Sequence, residues 1–402
     1  MKASKSLHVG VWALAVAAFA IGVSEFVVVG VLPSIAQDFS ISLAHAGGLV
    51  SYYALALAVG TPITILAISH LPKRSVLLVL VAVFLAGNLL SALASNYSSL
   101  MLGRVVTAVA HGSFFAIGAT VAARLAPPRQ AGKAIALMFG GLTLAMVLGV
   151  PLGSLLGNQL GWRLPFYAVA AMALIALLAI ARWVPPLCAE RGSSPSKQLQ
   201  TLRHPIILAM MSVTIFGFGA SFATFTFITS ILTDVTGFSG TTANLLLMVF
   251  GLATLLGNLV GGQLASKVGW HSTLRWKLIA LVFTLIAIMH AVQLQMPMVA
   301  LLFVWGALAF GISPALQAGM IESAERWTPE GVAFASALNI SAFNLGISLG
   351  GLSGSILVNL NRLAETPQAS IALALLAQFP LIWLMRYQRC SPSEAENPKP
   401  SS

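Results

Sequence analysis

The chain has 402 residues, 58% of them hydrophobic and only 8% charged, against about a quarter charged in soluble domains. That is too little charge to cover a water-facing surface of this size, so most of the surface faces lipid. A net charge of +11 does not point to nucleic acid here, because the basic residues sit in short gaps between apolar runs, where they set topology.

A spanning helix needs about 20 mostly apolar residues. Such runs are predicted, in chain order, at 10–32, 47–69, 75–95, 98–122, 131–156, 164–184, 205–232, 241–264, 274–294, 297–320, 331–358 and 369–386. The first is too long for a signal peptide, carries Glu25 and lacks an obvious small-residue cleavage site, so it reads as an uncleaved span. The ninth and tenth are separated only by Gln293, Gln295 and Pro297. Of the 21 Lys and Arg, Arg163 and Arg362 fall in segments on one side and Arg104 inside a span. The rest, from Lys73 and Arg74 to Lys267 and Arg386, gather on the other side, which the positive-inside rule makes cytoplasmic. With an even span count, both termini are expected in the cytoplasm. Cys188 and Cys390 fall in or near these basic segments and form neither metal spacing nor a disulfide framework.

The chain repeats itself at half length. Gly149-Val-Pro-Leu-Gly153-Ser in the fifth span resembles Gly350-Gly-Leu-Ser-Gly354-Ser in the eleventh, 201 residues on (149 to 350). Arg163 and Arg362 follow them at an offset of 199, and Gly60 and Gly257 differ by 197. A recurring offset implies duplication. The expected organisation is an all-α membrane protein of two pseudo-symmetric six-helix bundles. They cover 1–184 and 205–388, with a cytoplasmic linker at 185–204 rich in Pro, Ser, Gly and charge, and a tail at 389–402. Gly141, Ala145, Gly149, Gly153 and Gly157 recur every four residues, as do Ala342, Gly346, Gly350 and Gly354. Each ladder lies on one helix face and lets another backbone approach closely. Such a seam either packs tightly or slides as the halves rock.

These features converge with particular motifs. They are Glu25-Phe26 with Gly30-Val-Leu-Pro33, Arg104 with His111-Gly112-Ser-Phe-Phe115, Gly149-Val-Pro151, Gly161-Trp162-Arg163, and Ala342-Phe343-Asn344-Leu345-Gly346. With them the chain, over nearly its whole length, resembles the major facilitator superfamily. Within it the likeness is to the drug:proton antiporter group that includes arabinose/sugar-efflux-type and chloramphenicol-resistance-type proteins. The Gly149, Pro151, Gly153 pattern resembles that group's antiporter motif. The superfamily's loop signature after the second span normally carries an Asp, but here Ser69 and, in the second half, Ser266 stand in the corresponding stretches. Lys73, Arg74 and Lys267 there suit either topology or the C-terminal ends of helices.

An ionisable residue inside a span is a functional candidate by default. Glu25 is the only acid well inside any span, roughly 12 Å from the outer end of the first. Arg104 is roughly 9 Å deep in the fourth, entering from the same side, and His111 lies on nearly the same face about 10 Å further in. Glu25 and Arg104 either fix packing by mutual neutralisation or handle protons. A carboxyl in apolar surroundings holds its proton more tightly and a nearby guanidinium loosens it, so helix rearrangement changes the balance. His111 is either a proton relay or a packed, hydrogen-bonded ring.

The resemblance implies a solute cavity between the halves. It offers Tyr52, Tyr53, Phe222, Phe225, Phe227, Asn339, Phe343 and Asn344 as lining candidates. Asn339 and Asn344 are five apart, so at most one aims squarely inward, and Asn344 lies in the matched motif. With several Phe in the seventh span, some are expected to face lipid. Asn88 and Asn258 are expected to bridge helices. No paired carboxylates, metal spacing, P-loop or nucleophile triad appears, so neither an enzyme nor a cofactor is expected. The resemblance implies proton-coupled efflux of a small organic molecule such as a drug, sugar or nucleoside, across a bacterial-type inner membrane, by a monomer that binds no nucleic acid. Uptake by symport or facilitation, and a non-transporting receptor, are the other readings.

Overall fold

The computed structural model describes residues 7–68, 71–127, 131–187 and 200–390. Ser69, most of the linker including Cys188, and the tail from 391 onward lie outside the described residues. Twelve helices among those described are long and apolar enough to cross a bilayer. In the first half they are α1 (Val9–Asp38), α2 (Leu43–Ile68), α3 (Lys73–Ala92), α4 (Tyr97–Leu125), α5 (Ala131–Leu144 continuing as Val150–Leu160) and α6 (Arg163–Trp183). In the second they are α7 (Pro205–Phe225), α8 (Gly240–Val268), α9 (Trp270–Ala291), α10 (Gln295–Gly311 continuing as Ser313–Trp327), α11 (Val332–Asn359) and α12 (Thr366–Cys390). The count and the narrow split between α9 and α10 are those expected from hydropathy.

Local chemistry sets the ends. Asn96 caps α4 by accepting from the Ser99 amide at 2.9 Å, while the Ser99 hydroxyl receives the Asn96 amide, a reciprocal capping box. Ser239 caps α8 through the Thr242 amide. The turns α5–α6 and α8–α9 pass through Gly161 (φ 105°) and Gly269 (φ 81°), a region side chains avoid. Two proline-linked irregularities divide long helices. Pro151 lacks the amide that would bond the Val147 carbonyl, and α5 widens into a π turn over Ala145–Gly149 just before it. Pro314 follows the break of α10 after Gly311, where the buried Lys277 of α9 places its ammonium against Gly311, near a helix C-terminus.

The half-chain repeat is visible in who touches whom. A Cβ on Gly153 of α5 would meet Val27 of α1, and one on Gly354 of α11 would meet the Ala223 backbone of α7. Likewise Gly60 of α2 faces Val109 of α4, and Gly257 of α8 faces Ala307 of α10. Both glycine ladders therefore pack inside their own bundles. Val23, Val27 and Val31 of α1 sit over Gly149, Gly153 and Gly157. Each ladder thus makes the close packing that its four-residue spacing suggested, against a helix of its own half. Gly141 lies against the backbone of α1, since an added Cβ would be 2.2 Å from the Ala15 carbonyl oxygen, whereas Gly140 has open space. Gly141→Ala is expected to lower the melting temperature in detergent, by the equivalent of about 1–3 kcal/mol of overpacking. Gly140→Ala is expected to leave it unchanged.

The halves meet through α2 against α11, α5 against α8 and α1 against the end of α7. The close contacts gather toward the end that carries the α1–α2 and α7–α8 loops. Gly351 abuts Ser51, and Gly47 abuts Phe227 and Ser355. Toward the other end, the first segment of α5 packs on α1 and α4, and the second segment of α10 on α7, α8, α9 and α11. Arg74 donates to the Ala181 carbonyl in the last turn of α6, so that loop cation does serve a helix C-terminus. At the opposite end Asp38 accepts from Trp162 Nε1 at 3.0 Å and from Arg163 at 2.9 Å, and Arg163 also bonds the Ala94 carbonyl. These bonds tie α1, α6 and the α3–α4 loop together.

Candidate functional site

Four helices of the first half converge on one polar knot. Arg104 of α4 is 1% exposed. Its Nη1 donates to the Ser24 carbonyl at 2.6 Å and its Nη2 to the Glu25 carbonyl at 3.4 Å. Its guanidinium also lies 3.8 Å from the centre of the Tyr53 ring of α2, a cation–π contact strengthened by desolvation. Ser24 in turn donates to Asn88 of α3 at 2.9 Å, and Asn88 donates to the Phe84 carbonyl, so Asn88 bridges helices as its sequence position suggested. The cation is thus fixed to the backbone of α1 on either side of Glu25. Among the described residues it makes no hydrogen bond to the Glu25 carboxylate.

The carboxylate has a different neighbour. Glu25 Oε2 lies 4.0 Å from His111 Nε2, and the other ring nitrogen of His111, Nδ1, is 2.8 Å from the Tyr53 hydroxyl. Their side chains keep 11% and 8% exposure, whereas Arg104 and Tyr53 are sealed. The two tautomers of His111 have different uses. With Tyr53 donating to Nδ1, Nε2–H faces a carboxylate; with Nδ1–H donating to Tyr53, Nε2 faces a carboxylic acid as an acceptor. Either protonation state of Glu25 has a matching neutral imidazole.

Of the proposed lining residues, Tyr53 belongs to this knot. Its sequence neighbour Tyr52 does not: it is 47% exposed and packs beside Gly48 with Tyr97. Phe222, Phe225 and Phe343 join an aromatic cluster of the second half. Phe343 meets Phe218 edge-on at 4.8 Å, Phe225 stacks on Phe250 at 4.7 Å, and Phe222 and Phe225 both approach Phe310. Of the α7 phenylalanines expected in part to face lipid, Phe216 is half-buried, whereas Phe218, Phe222, Phe225 and Phe227 are all buried, where α7 packs against α10, α11 and α12. Phe26, next to Glu25, reaches Phe310 across the halves at 6.4 Å. A narrow cleft there is walled by Phe26, Met146 and Val150 on one side and Phe225, Leu247 and Phe250 on the other.

The two asparagines of α11 divide as their spacing requires. Asn339 accepts from Thr214 of α7 at 2.7 Å and donates to Gln317 of α10 at 2.8 Å, and Gln317 donates to Ser336. It is a structural bridge. Asn344 donates to the Ile340 carbonyl, but its buried Oδ1 has no partner among the described residues. It lies seven residues from Gly351, on the face toward α2.

Sequence reasoning missed Phe218, Phe250, Trp305, Phe310 and Gln317, which carried no signal beyond being aromatic or polar within apolar runs. It also missed a clasp between the halves. Pro33 has no amide to give the Val29 carbonyl, and that carbonyl accepts instead from Thr229 beyond the end of α7, at 3.1 Å. One residue along, Asn158 of α5 donates to the Gly30 carbonyl and, across the halves, to Asn244 Oδ1 of α8, at 3.0 and 3.2 Å, while receiving Ser34.

Two six-helix bundles, joined by a polar clasp near a buried acid, are the architecture of a membrane transporter built from repeats. Residues 14–351 match the model of the Major Facilitator Superfamily. The chain is 37% identical to the MFS-type transporter YtbD of Bacillus subtilis, covering 89% of this chain and 90% of that one. It is 36% identical to the inner membrane transport protein YdhP of Escherichia coli, over 86% and 88% of the two chains. It is 31% identical to the putative transporter AraJ of Escherichia coli, over 94% and 95%. A solved bacterial homolog of the human lysosomal transporter Spinster, in an inward-facing and unoccupied conformation, shares the fold at a TM-score of 0.72 and 17% identity, over 96% of this chain and 98% of that one. The chain belongs to the major facilitator superfamily of multi-pass membrane transporters.

Proposed function

We propose that the protein is a proton-coupled antiporter that exports a small organic molecule from the cytoplasm. The bundles 1–184 and 205–388 rock about their shared interface, and the linker 185–204 and both termini lie in the cytoplasm. With the basic segments cytoplasmic, the clasp of Thr229 and Asn158 closes the outer end, and the site faces inward.

The observation that carries this reading is the separation of Glu25 from Arg104. The guanidinium spends its hydrogen bonds to α1 on the Ser24 and Glu25 carbonyls, so the carboxyl is not locked into an ion pair. It keeps some exposure, beside a histidine able to face either protonation state. A carboxyl so held exchanges a proton when its surroundings change. Phe26 carries the adjoining α1 position to the aromatic cluster of the second half. A solute that enters where this narrow cleft widens, next to a proton-bearing Glu25, favours proton release, and by reciprocal linkage a proton favours solute release. Apolar walls with few polar groups suit an organic solute, with Asn344 Oδ1 as a free acceptor for a solute donor.

The test uses inverted membrane vesicles with an imposed pH gradient and a panel of sugars, nucleosides and antibiotics. Antiport is expected to give proton efflux from the acidified lumen when a transported solute is added. Solute equilibration without proton movement contradicts the reading and favours facilitation.

A further inference from the structure

A groove of about 460 Å³ runs along the surface between the first turns of α7 and the later turns of α12. Pro205 and Pro380 stand on its two sides, and Leu208, Ala209, Phe379 and Trp383 line it. Pro380 lies inside α12, where it removes an intrahelical hydrogen bond and crowds the preceding turn. The lining is open to the surroundings: Phe379 is 71% exposed, Leu208 44% and Trp383 42%. On a helix that crosses a bilayer, these side chains meet lipid.

One end of the groove is chemically distinct. Trp383 stacks on Tyr387 at 5.2 Å, Tyr387 approaches Trp327 of α10 at 5.7 Å, and Trp327 approaches His204 at 5.9 Å. Such a chain of amphipathic rings marks the depth where headgroups begin. Arg386 lies three residues beyond Trp383 and so on the same face of α12, and Arg203 lies two residues before Pro205; both are exposed. Glu322 and Glu325 at this level belong to α10 and stand on neither wall. Among the described residues, three buried side-chain nitrogens here, His204 Nδ1, Trp327 Nε1 and Gln378 Nε2, have no hydrogen-bond partner. Burial holds the His204 imidazole below its ordinary range, so it is neutral at physiological pH and the arginines carry the charge.

We infer that this groove is a site for one anionic phospholipid, with an acyl chain along Leu208, Ala209 and Phe379 and the phosphate between Arg203 and Arg386. The apolar trough takes the chain, the aromatic end marks the headgroup boundary, and the two cations complement the phosphate. Each arginine near an anionic leaflet is attracted to it, and a pair selects headgroups. Seated across α7 and α12, the lipid braces the start of the helix whose far end carries Thr229. The site stands apart from the transport reading and survives its failure.

The experiment is native mass spectrometry of the full chain in detergent, offered phosphatidylglycerol and phosphatidylcholine with identical acyl chains. The wild type is expected to retain phosphatidylglycerol in preference by about tenfold or more. Arg203→Gln with Arg386→Gln is expected to bring the two lipids to parity, and Arg203→Lys with Arg386→Lys to keep the preference. Trp383→Ala is expected to reduce retention of both lipids. Thermal unfolding of each variant in lipid-free detergent verifies that the fold is intact. Equal retention of the two lipids by the wild type overturns the inference, as does an undiminished preference in the double glutamine variant.

Discussion

Glu25→Gln is expected to abolish pH-gradient-driven transport, by about 100-fold, the upper end of typical coupling between two ligands, while leaving insertion and folding in place. Glutamine keeps the shape of the side chain and its acceptor but cannot give up a proton. The outcome discriminates because of where Arg104 is anchored. If the guanidinium were paired with the carboxylate, removing one charge would strand the other at a cost of about 3–5 kcal/mol, and loss of transport would only report a damaged fold. Here Arg104 keeps both backbone carbonyls of α1 and the Tyr53 ring after the change. Melting in detergent is therefore expected to shift far less for Glu25→Gln than for Arg104→Ala, which leaves a buried void and frees α1 from α4. Retained downhill solute exchange in Glu25→Gln vesicles, with no proton movement, is the expected signature. Full gradient-driven transport by that variant removes Glu25 from the mechanism.

The second large effect is expected at the clasp. Thr229→Val with Asn158→Ala deletes the hydrogen bonds from Thr229 to Val29 and from Asn158 to Gly30 and Asn244. The Thr229–Val29 and Asn158–Asn244 bonds cross the halves, and at about 1 kcal/mol net for each hydrogen bond the two shift the balance between the closed and open outer end by about 30-fold. Spin labels at Leu160 and Met296, exposed at the ends of α5 and α10 on either side of the clasp, are expected to report a longer distance in the double variant. Both native cysteines, Cys188 and Cys390, are replaced first. Pro33→Ala is expected to act in the same direction but more weakly. It supplies the missing amide, so the Val29 carbonyl gains a partner within α1 and Thr229 must share it. An unchanged distance distribution in both variants dismisses the clasp as a gate.

Much of the frame was legible because bilayers impose simple rules. Length and apolarity gave twelve spans, and the recurring 197–201 offset anticipated the equivalent contacts of Gly153 with Val27 and of Gly354 with Ala223. Glu25 and Arg104 stood out because charge is rare within spans. Rotation about each helix axis was not legible. Helices that are apolar on every side carry no stripe to say which face is interior. Hence Tyr52 and Tyr53, adjacent and alike, part company, and Phe218, Phe222 and Phe225 of α7 are buried while Phe216 is only half-buried. Side-chain direction was equally hidden. Similar depth suggested a pairing of Glu25 with Arg104, but a guanidinium fork satisfies itself as well on carbonyls, and nothing in residue type reveals that choice. The clasp was hidden for a related reason: Pro33 was read as part of a motif, yet its physical consequence is an acceptor freed on Val29, four residues away.

In the proposed mechanism one proton and one solute compete through Glu25. Adding a transported solute to the purified protein in weakly buffered detergent tests it without a membrane or a gradient. The account predicts release of about one proton per chain from the wild type and none from Glu25→Gln, with solute binding by the variant intact. Equal proton release by the two proteins, or binding by the wild type with no release, contradicts it.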